Sequence, residues 1–153
     1  MTGMMLVHAT AVAIDGKAIL LRGPPGAGKS DLALRLIDGG ADLVADDKAE
    51  LRQAGNHIRV RAPAAIAGLI EIRGIGVLRL QALEEAPLAM CVDLLPSVEI
   101  ERLPERRFEE MLGIAVPLIA VSAFEASAAA KLRLALRAFS ADALPAILGH
   151  DDR

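Results

Sequence analysis

The sequence has few aromatic side chains and a single cysteine, and each of these shortages excludes a kind of binding or structural site. Its 153 residues include three Phe and one Cys, and neither Tyr nor Trp. With so few rings, the stacking platforms with which many proteins bind single-stranded nucleic acid are missing. One Cys cannot form an intramolecular disulfide or a Cys-based metal cage. Cys91 lies in the apolar run PLAMCVDLL and is predicted to be a buried core residue.

Strong charge and long apolar runs are also absent. The net charge at pH 7 is -3, so no overall attraction to DNA, RNA or an anionic membrane surface is expected. No apolar run reaches the ~18 residues of a membrane-spanning helix. The N-terminal MTGMMLVHATAV lacks the basic start and the cleavage site of a signal peptide. We therefore expect a cytoplasmic protein with neither nucleic acid nor membrane as a partner.

The apolar residues that are present suffice for one compact core. They make up 54% of the chain, and a chain of this length usually folds as one domain. Residues 6–14 and 17–22 predict a hairpin around the turn Asp15-Gly16. Residues 30–38 predict a helix that ends at Gly39-Gly40.

Further elements are predicted along the rest of the chain. Strands are expected at residues 41–47, 49–53, 57–62, beyond Leu69, and at 87–95 and 116–122, and a C-terminal helix at 125–139. No element is predicted in the charged segment 99–110, where Glu105 to Glu110 are interpreted as a solvated face. We expect residues 1–153 to form a single α/β domain.

A phosphate-binding pattern follows the predicted second strand. Residues 23–30, here called the phosphate loop, read G-P-P-G-A-G-K-S and satisfy G-x-x-x-x-G-K-[ST]. The defining positions are Gly23, Gly28, Lys29 and Ser30. Glycines allow φ > 0 and turn backbone N–H groups inward around an anion. Proline has no N–H, so the donors are expected from Gly26, Ala27, Gly28, Lys29 and Ser30.

The chemistry of this loop predicts a nucleotide as its ligand. Lys29 is expected to reach the β- and γ-phosphates, and the Ser30 hydroxyl to bind Mg²⁺. The helix that begins here adds the positive end of its dipole. The alternative is a Gly-Pro surface turn that matches the pattern by chance, and the flanking strand and helix argue against it.

Two adjacent carboxylates follow the strand predicted at residues 41–47. If this strand runs in the same direction as residues 17–22, Asp46 and Asp47 emerge at the same edge of the sheet as the phosphate loop. Successive strand side chains point to opposite faces, so the two need not share one role. One would bind Mg²⁺ or its water shell, and the other would accept the proton of an attacking hydroxyl. The alternative is a solvated turn.

Three other residues have weaker claims to the site. Glu71 and Arg73 are two apart, so in a strand they would share one face and suit a second metal contact and a clamp on phosphate charge. A surface ion pair explains them equally well. His8 precedes the first hairpin, where a lone histidine is more often structural or merely exposed.

Taken together, these residues resemble the catalytic C-terminal domain of the bacterial HPr kinase/phosphorylases. The resemblance is carried by His8, the loop GPPGAGKS, the pair in LVADD, and LIEIRGIGVLRL with its E-[IV]-R-G signature, in matching order over roughly residues 5–135. It implies a mixed sheet similar to that of phosphoenolpyruvate carboxykinase, with hairpins and a C-terminal helix. It also implies a homo-oligomer, specifically a hexamer.

The activity that this resemblance implies is ATP- and Mg²⁺-dependent phosphorylation of a serine on HPr, a small carrier protein of the sugar phosphotransferase system. By motif position Asp46 would be the base, with Lys29 and His8 as further catalytic residues. Asp47, Glu71 and Ser30 would lie at the metal, and Arg73 at the nucleotide. The same site would run backwards with inorganic phosphate.

The chain departs from the family pattern in two places. Its 153 residues are expected to leave no room for the N-terminal domain of the long form, so the sequence resembles a shortened version. The stretch after VPLIAV is Arg-rich in the family, whereas SAFEASAAAK here has no Arg, which weakens the case for the reverse reaction. A small-molecule kinase and an ATP-sensing adaptor without turnover remain the alternatives.

Overall fold

The computed structural model describes residues 3–139. Over that range the chain forms eleven β-strands, two α-helices and two 3₁₀ turns. The strands are β1 (Met4–Val7), β2 (Thr10–Ile14), β3 (Lys17–Arg22), β4 (Asp42–Ala45), β5 (Ala49–Ala54), β6 (His57–Arg61), β7 (Leu69–Ile72), β8 (Gly76–Arg79), β9 (Ala86–Leu94), β10 (Arg107–Met111) and β11 (Ile114–Val121). The helices are α1 (Lys29–Asp38) and α2 (Ala128–Ala138), and the 3₁₀ turns are Ala64–Ile66 and Ser97–Glu99.

Nine of these strands form one mixed sheet that branches at β9. The order along it is β1-β5-β6-β9-β3-β2-β4, and β11 pairs with β9 and with β10. Strands β3 and β9 are parallel, as are β9 and β11. The start of β9 pairs with β6 and its end with β11, so the sheet turns away from a single plane. Strands β7 and β8 form a separate hairpin.

Both faces of the sheet are covered, which explains why the interior positions of the central strand β3, residues 18–21, are all apolar and buried. In β3, Ile19 and Leu21 face a cluster that includes Leu32 and Leu36 of α1 and residues of α2. The alternating residues of β3 face a second cluster formed with β5 and β6. The mixed α/β fold predicted from the sequence is therefore confirmed, and Cys91 is fully buried as expected.

The hairpins and both helices lie close to where the sequence predicts them. Asp15 and Gly16 have φ values of 52° and 77°, as the tight β2–β3 turn requires. Helix α1 ends at Asp38 with Gly39 as its cap. No helix within residues 3–139 has the length and apolar character needed to cross a membrane.

Three details differ from the sequence-based prediction. The run 6–14 is not one strand, because the chain bends at His8 and β1 pairs with β5 instead. Strand β4 does run in the direction of β3, but β2 lies between them and is antiparallel to both. The charged segment 99–110 contributes four of the five residues of β10, an edge strand that pairs with β11, where exposed charged residues are tolerated.

Candidate functional site at the phosphate loop

The phosphate loop connects the end of β3 to the start of α1. Two of its glycines have positive φ, 86° at Gly26 and 98° at Gly28, and Gly28 is the N-terminal cap of α1. The Ala27 N–H donates to the Pro24 carbonyl at 3.0 Å. Lys29 Nζ donates to the Gly23 carbonyl at 2.5 Å. The first turn of α1, whose N–H groups have no partner within the helix, therefore begins directly at the loop.

Gly28 also lies too close to a neighbouring segment to carry a side chain. A Cβ at Gly28 would lie 2.7 Å from Ala123 Cβ and 3.2 Å from Phe124 Cζ. A Cβ at Gly23 would lie 2.7 Å from that of Ala27. Packing therefore requires glycine at both positions, and at Gly28 the backbone conformation requires it as well.

Asp46 connects the phosphate loop to the elements around it. Its side chain follows β4 and is almost fully buried, with 8% exposure. Its Oδ1 accepts hydrogen bonds from Ser30 Oγ at 3.0 Å and from Thr10 Oγ1 at 3.1 Å. Its Oδ2 accepts one from the Glu71 N–H at 3.0 Å. Donors from α1, β2 and β7 thus hold this carboxylate against the serine of the loop.

Thr10 forms hydrogen bonds with both residues of the aspartate pair, a role that the sequence motifs do not predict. Its hydroxyl donates to Asp46 and accepts the Asp47 N–H at 3.2 Å. Thr10 is fully buried and is the one polar residue of β2. The sequence does contain a signal for this role, namely a hydroxyl in an otherwise apolar strand, because a buried polar group needs a hydrogen-bond partner.

Asp47 differs from its neighbour in both exposure and backbone conformation. Its side chain is exposed to solvent. Its φ is 69°, a left-handed value that is uncommon outside glycine. The change in backbone direction after Asp46 therefore leaves one carboxylate of the pair buried and the other accessible.

Glu71, Arg73 and His8 surround this centre without joining its side-chain hydrogen bonds. Glu71 contributes its N–H to Asp46, and its own side chain is exposed. The prediction that Glu71 and Arg73 share a strand face is wrong, because β7 ends at Ile72 and Arg73 lies in the following turn. No ion pair between them occurs among residues 3–139. His8 is exposed in the bend two residues before Thr10.

The possible metal ligands around Ser30 suit Mg²⁺ better than they suit a metal ion that is bound by protein side chains alone. Among residues 3–139 no group of three His, Cys, Asp or Glu side chains could hold a metal ion. Mg²⁺ is usually bound by one or two carboxylates together with phosphate oxygens and water. A serine hydroxyl beside the Asp46 carboxylate is such a partial set, which a bound nucleotide would complete.

Comparison with known proteins gives the family. The family model described as HPr Serine kinase C-terminal domain matches residues 1–136. The chain belongs to this family. Among curated relatives, the HPr kinase/phosphorylase of Caldicellulosiruptor bescii is 37% identical over 126 residues, covering 74% of this chain and 40% of the relative. That of Exiguobacterium sp. is 44% identical over 81 residues, covering 52% and 26%.

A solved structure agrees with this assignment. The Hpr(Ser) kinase/phosphatase from Coxiella burnetii matches with a TM-score of 0.71 and 31% sequence identity, over 76% of this chain and 85% of that chain. The chain spans about a quarter to two fifths of the length of the curated relatives it matches. The resemblance stated from the sequence motifs is therefore confirmed at the level of family and fold.

Arg22 anchors the strand that leads into the phosphate loop. Its Nε donates to Asp93 Oδ1 at 2.9 Å, and its two terminal nitrogens donate to Glu109 at 2.5 and 2.7 Å. The hydrogen bonds that Arg22 donates to Glu109 lower the pKa of the Glu109 carboxyl group and raise the pKa of the Arg22 guanidinium. The sequence analysis interpreted Glu109 as solvated and gave no role to Arg22.

The segment between β11 and α2, residues 122–127, lies against the other end of the phosphate loop. Arg35 of α1 donates to two of its carbonyl groups, at Ala123 and, at 3.2 Å, at Glu125. Glu125 also pairs with Lys131 at 3.1 Å. This segment, here called the β11–α2 loop, is therefore fixed to both helices.

Proposed function

We propose that the protein transfers the γ-phosphoryl group of ATP to a serine of HPr in the presence of Mg²⁺. The observation that carries the proposal is the 3.0 Å hydrogen bond from Ser30 Oγ to Asp46 Oδ1. In ATP-using proteins with this loop, the serine and an aspartate from a neighbouring strand hold the Mg²⁺ together. Family membership and the names of the relatives support HPr as the acceptor.

The phosphate loop would bind ATP through its backbone. N–H groups of Gly26, Gly28 and Ser30 would surround the phosphates, and Lys29 Nζ would exchange its loop carbonyl for phosphate oxygens. Gly23 allows the chain to turn closely past Ala27. Ser30 and Asp46 would hold a Mg²⁺ ion on the protein side, and the ion would supply positive charge that neutralises the phosphates.

The contacts of the aspartate pair favour an exchange of the roles expected from the sequence, and we propose that exchange. Asp46, the expected base, is buried and accepts hydrogen bonds at both oxygens, one of them from the metal-binding serine. Asp47, the expected metal ligand, is exposed, so a serine on another protein can approach it. Asp47 would therefore accept the proton, and Asp46 would hold the metal side.

The reaction is one displacement at the γ-phosphorus. The serine Oγ forms a bond to phosphorus while the bond from phosphorus to the bridging β,γ-oxygen breaks, and ADP leaves. The proton of the serine hydroxyl passes to the Asp47 carboxylate. The relatives' name, kinase/phosphorylase, supports a reverse direction. There, inorganic phosphate would attack the phosphorus of phosphoserine while the bond from phosphorus to the serine Oγ breaks. The Asp47 carboxyl group would return the proton to that oxygen, and pyrophosphate would be the product.

The remaining predicted residues belong to the periphery of this proposal. Glu71 would bind the water shell of Mg²⁺ from the hairpin that contacts Asp46. Arg73, exposed in the same hairpin, would pair with phosphate charge. His8 would lie beside the acceptor serine. A hexameric assembly follows from the family resemblance, and a cytoplasmic location from the requirement for ATP.

Two substitutions separate the roles of the aspartates. Asp46→Asn and Asp47→Asn are each expected to abolish phosphoserine formation when labelled ATP, Mg²⁺ and HPr are supplied. Asp46→Asn should also weaken binding of Mg²⁺-ADP about 10- to 100-fold, since removal of a group that orients a metal ligand has an effect of that size. Asp47→Asn should leave that affinity within about twofold, because a proton acceptor is not a metal ligand.

The control is Asp42→Asn, an exposed aspartate at the other end of the same strand β4, which should change neither quantity. If Asp46→Asn binds Mg²⁺-ADP normally and Asp47→Asn binds it weakly, Asp46 is the base and Asp47 lies at the metal, as expected from the sequence. Transfer to a small acceptor but not to HPr would indicate a small-molecule kinase. Tight ATP binding with no transfer to any acceptor would indicate an adaptor, and either result would refute the proposed function.

A further inference from the structure

An exposed phenylalanine lies at the rim of the phosphate loop. Phe124, in the β11–α2 loop, is 72% exposed. Its ring edge nevertheless touches the loop, since a Cβ on Gly28 would lie 3.2 Å from Phe124 Cζ and 3.3 Å from Cε1. One edge of the ring therefore packs on the N-terminal cap of α1, while most of the ring surface is open to solvent.

The backbone that carries Phe124 is held in place. Arg35 donates to the carbonyls of the residues on either side of it, Ala123 and Glu125. The Glu125 N–H donates to the Ser122 carbonyl at 3.3 Å, and the Ala128 N–H donates to the Glu125 carbonyl at 3.1 Å. A ring on a fixed backbone loses little freedom when it binds a ligand. An exposed aromatic residue on such a loop is suited to recognition.

The other two phenylalanines do not share this setting. Phe108 is 57% exposed on the edge strand β10, and Phe139 packs against the core cluster under the helices. With no Tyr or Trp in the chain, Phe124 is the aromatic side chain at the mouth of the phosphate loop within residues 3–139. The β11–α2 loop has no Arg or Lys, so it offers no cationic side chain to a phosphate, and the Phe124 ring is its one large apolar side chain.

We propose that Phe124 is the platform on which the purine base of the bound nucleotide stacks. The inference rests on the proposed function, because it takes the phosphate loop to hold the nucleotide's phosphates. Those phosphates bind at the N-terminus of α1, and the ring packs against the cap of that helix. The attached nucleoside extends from the loop past this rim. The backbone N–H groups recognise phosphate alone, so the ring supplies the part of the affinity that depends on the base.

The test compares ligands with and without a base. Dissociation constants for Mg²⁺-ADP and for Mg²⁺-tripolyphosphate are measured by calorimetry on the wild-type chain and on Phe124→Ala, with Phe108→Ala as the control for loss of an exposed ring. Base–aromatic stacking predicts that Phe124→Ala weakens ADP binding about 5- to 150-fold. Tripolyphosphate binding should stay within about twofold, and Phe108→Ala should match the wild type for both ligands.

A second variant reports contact with the base directly. Phe124→Trp introduces the first tryptophan into the chain, so its fluorescence arises from this position alone. We expect near wild-type affinity for ADP, and a change in emission on addition of ADP but not of tripolyphosphate.

Three results would overturn the inference. The first is unchanged ADP binding in Phe124→Ala, and the second is equal weakening of ADP and tripolyphosphate, which would make Phe124 a support for the phosphate loop. The third is an equal emission change with both ligands. If the wild-type chain bound neither ligand, the proposed function itself would fail together with the inference. Binding of both ligands by the wild type with no effect of Phe124→Ala would remove the inference alone.

Discussion

Substitution of Gly28 by alanine tests whether the phosphate loop and the β11–α2 loop are packed as closely as the structure indicates. Two penalties combine at this position. An L-residue at the observed φ of 98° is strained by about 1–3 kcal/mol. Its Cβ would also lie 2.7 Å from Ala123 Cβ, and such overpacking costs about 1–3 kcal/mol more. Gly28→Ala is therefore expected to lower the free energy of unfolding by about 2–6 kcal/mol.

Gly40 provides a matched control at the other end of the same helix. Its φ is 111°, so alanine there carries comparable backbone strain, but a Cβ would meet no atom within 4 Å. Gly40→Ala should then lower the free energy of unfolding by about 1–3 kcal/mol. Urea denaturation at unchanged slope measures both values. Equal losses in the two variants would refute close packing between the two loops, because only the strain that they share would remain.

Two further predictions concern ionisable groups outside the aspartate pair. Arg22→Lys should lower the free energy of unfolding by about 1–2 kcal/mol, because lysine cannot make the paired hydrogen bonds to Glu109. The control is Arg61→Lys, in the more exposed pair with Glu50, which should change the free energy of unfolding by less than about 0.5 kcal/mol. Arg22 lowers the pKa of Glu109 from its ordinary value of 4.5. The difference in free energy of unfolding between wild type and Arg22→Lys should therefore be present above pH 4.5 and shrink on acidification. A difference that stays constant in urea titrations across pH would contradict this role of Arg22. Burial raises the pKa of Cys91 from 9.0 to about 12, so the free energy of unfolding should fall as pH rises between those values. Native Cys91 should resist iodoacetamide at about pH 8.5, where the unfolded thiol reacts, and rapid native labelling would show that this strand opens.

Local patterns were sufficient to predict the elements that carry the phosphate loop. The Asp15-Gly16 turn, the glycine pattern of residues 23–30 and the Gly39-Gly40 stop each depend on backbone conformations that few residues adopt. Each of these signals lies within a few consecutive residues, and the structure has the predicted turn, loop and helix end at the same residues.

Features that depend on residues far apart in the chain could not be predicted in the same way. Thr10 and Asp46 are 36 residues apart, and Arg22 and Glu109 are 87 apart, so nothing in the neighbourhood of either indicates its partner. The insertion of β2 between β3 and β4 is likewise a property of sheet order. Strand β10 could not be predicted because its sequence, RFEEM, is mostly charged, and edge strands tolerate the charges that argue against a buried strand.

The β2–β3 hairpin connects the buried hydroxyl of Thr10 to a turn at the opposite edge of the sheet. Thr10 pairs with Leu21 at one end of the hairpin, and Ile14 pairs with Lys17 at the other, next to the turn. Because strand side chains alternate in direction, a shift of one residue in this pairing would turn Thr10 to the opposite face and present an alanine to Asp46. The two-residue length of a remote surface turn thus sets the alignment of the sheet edge that carries Asp46, and insertions there should be far less tolerated than in an ordinary exposed loop.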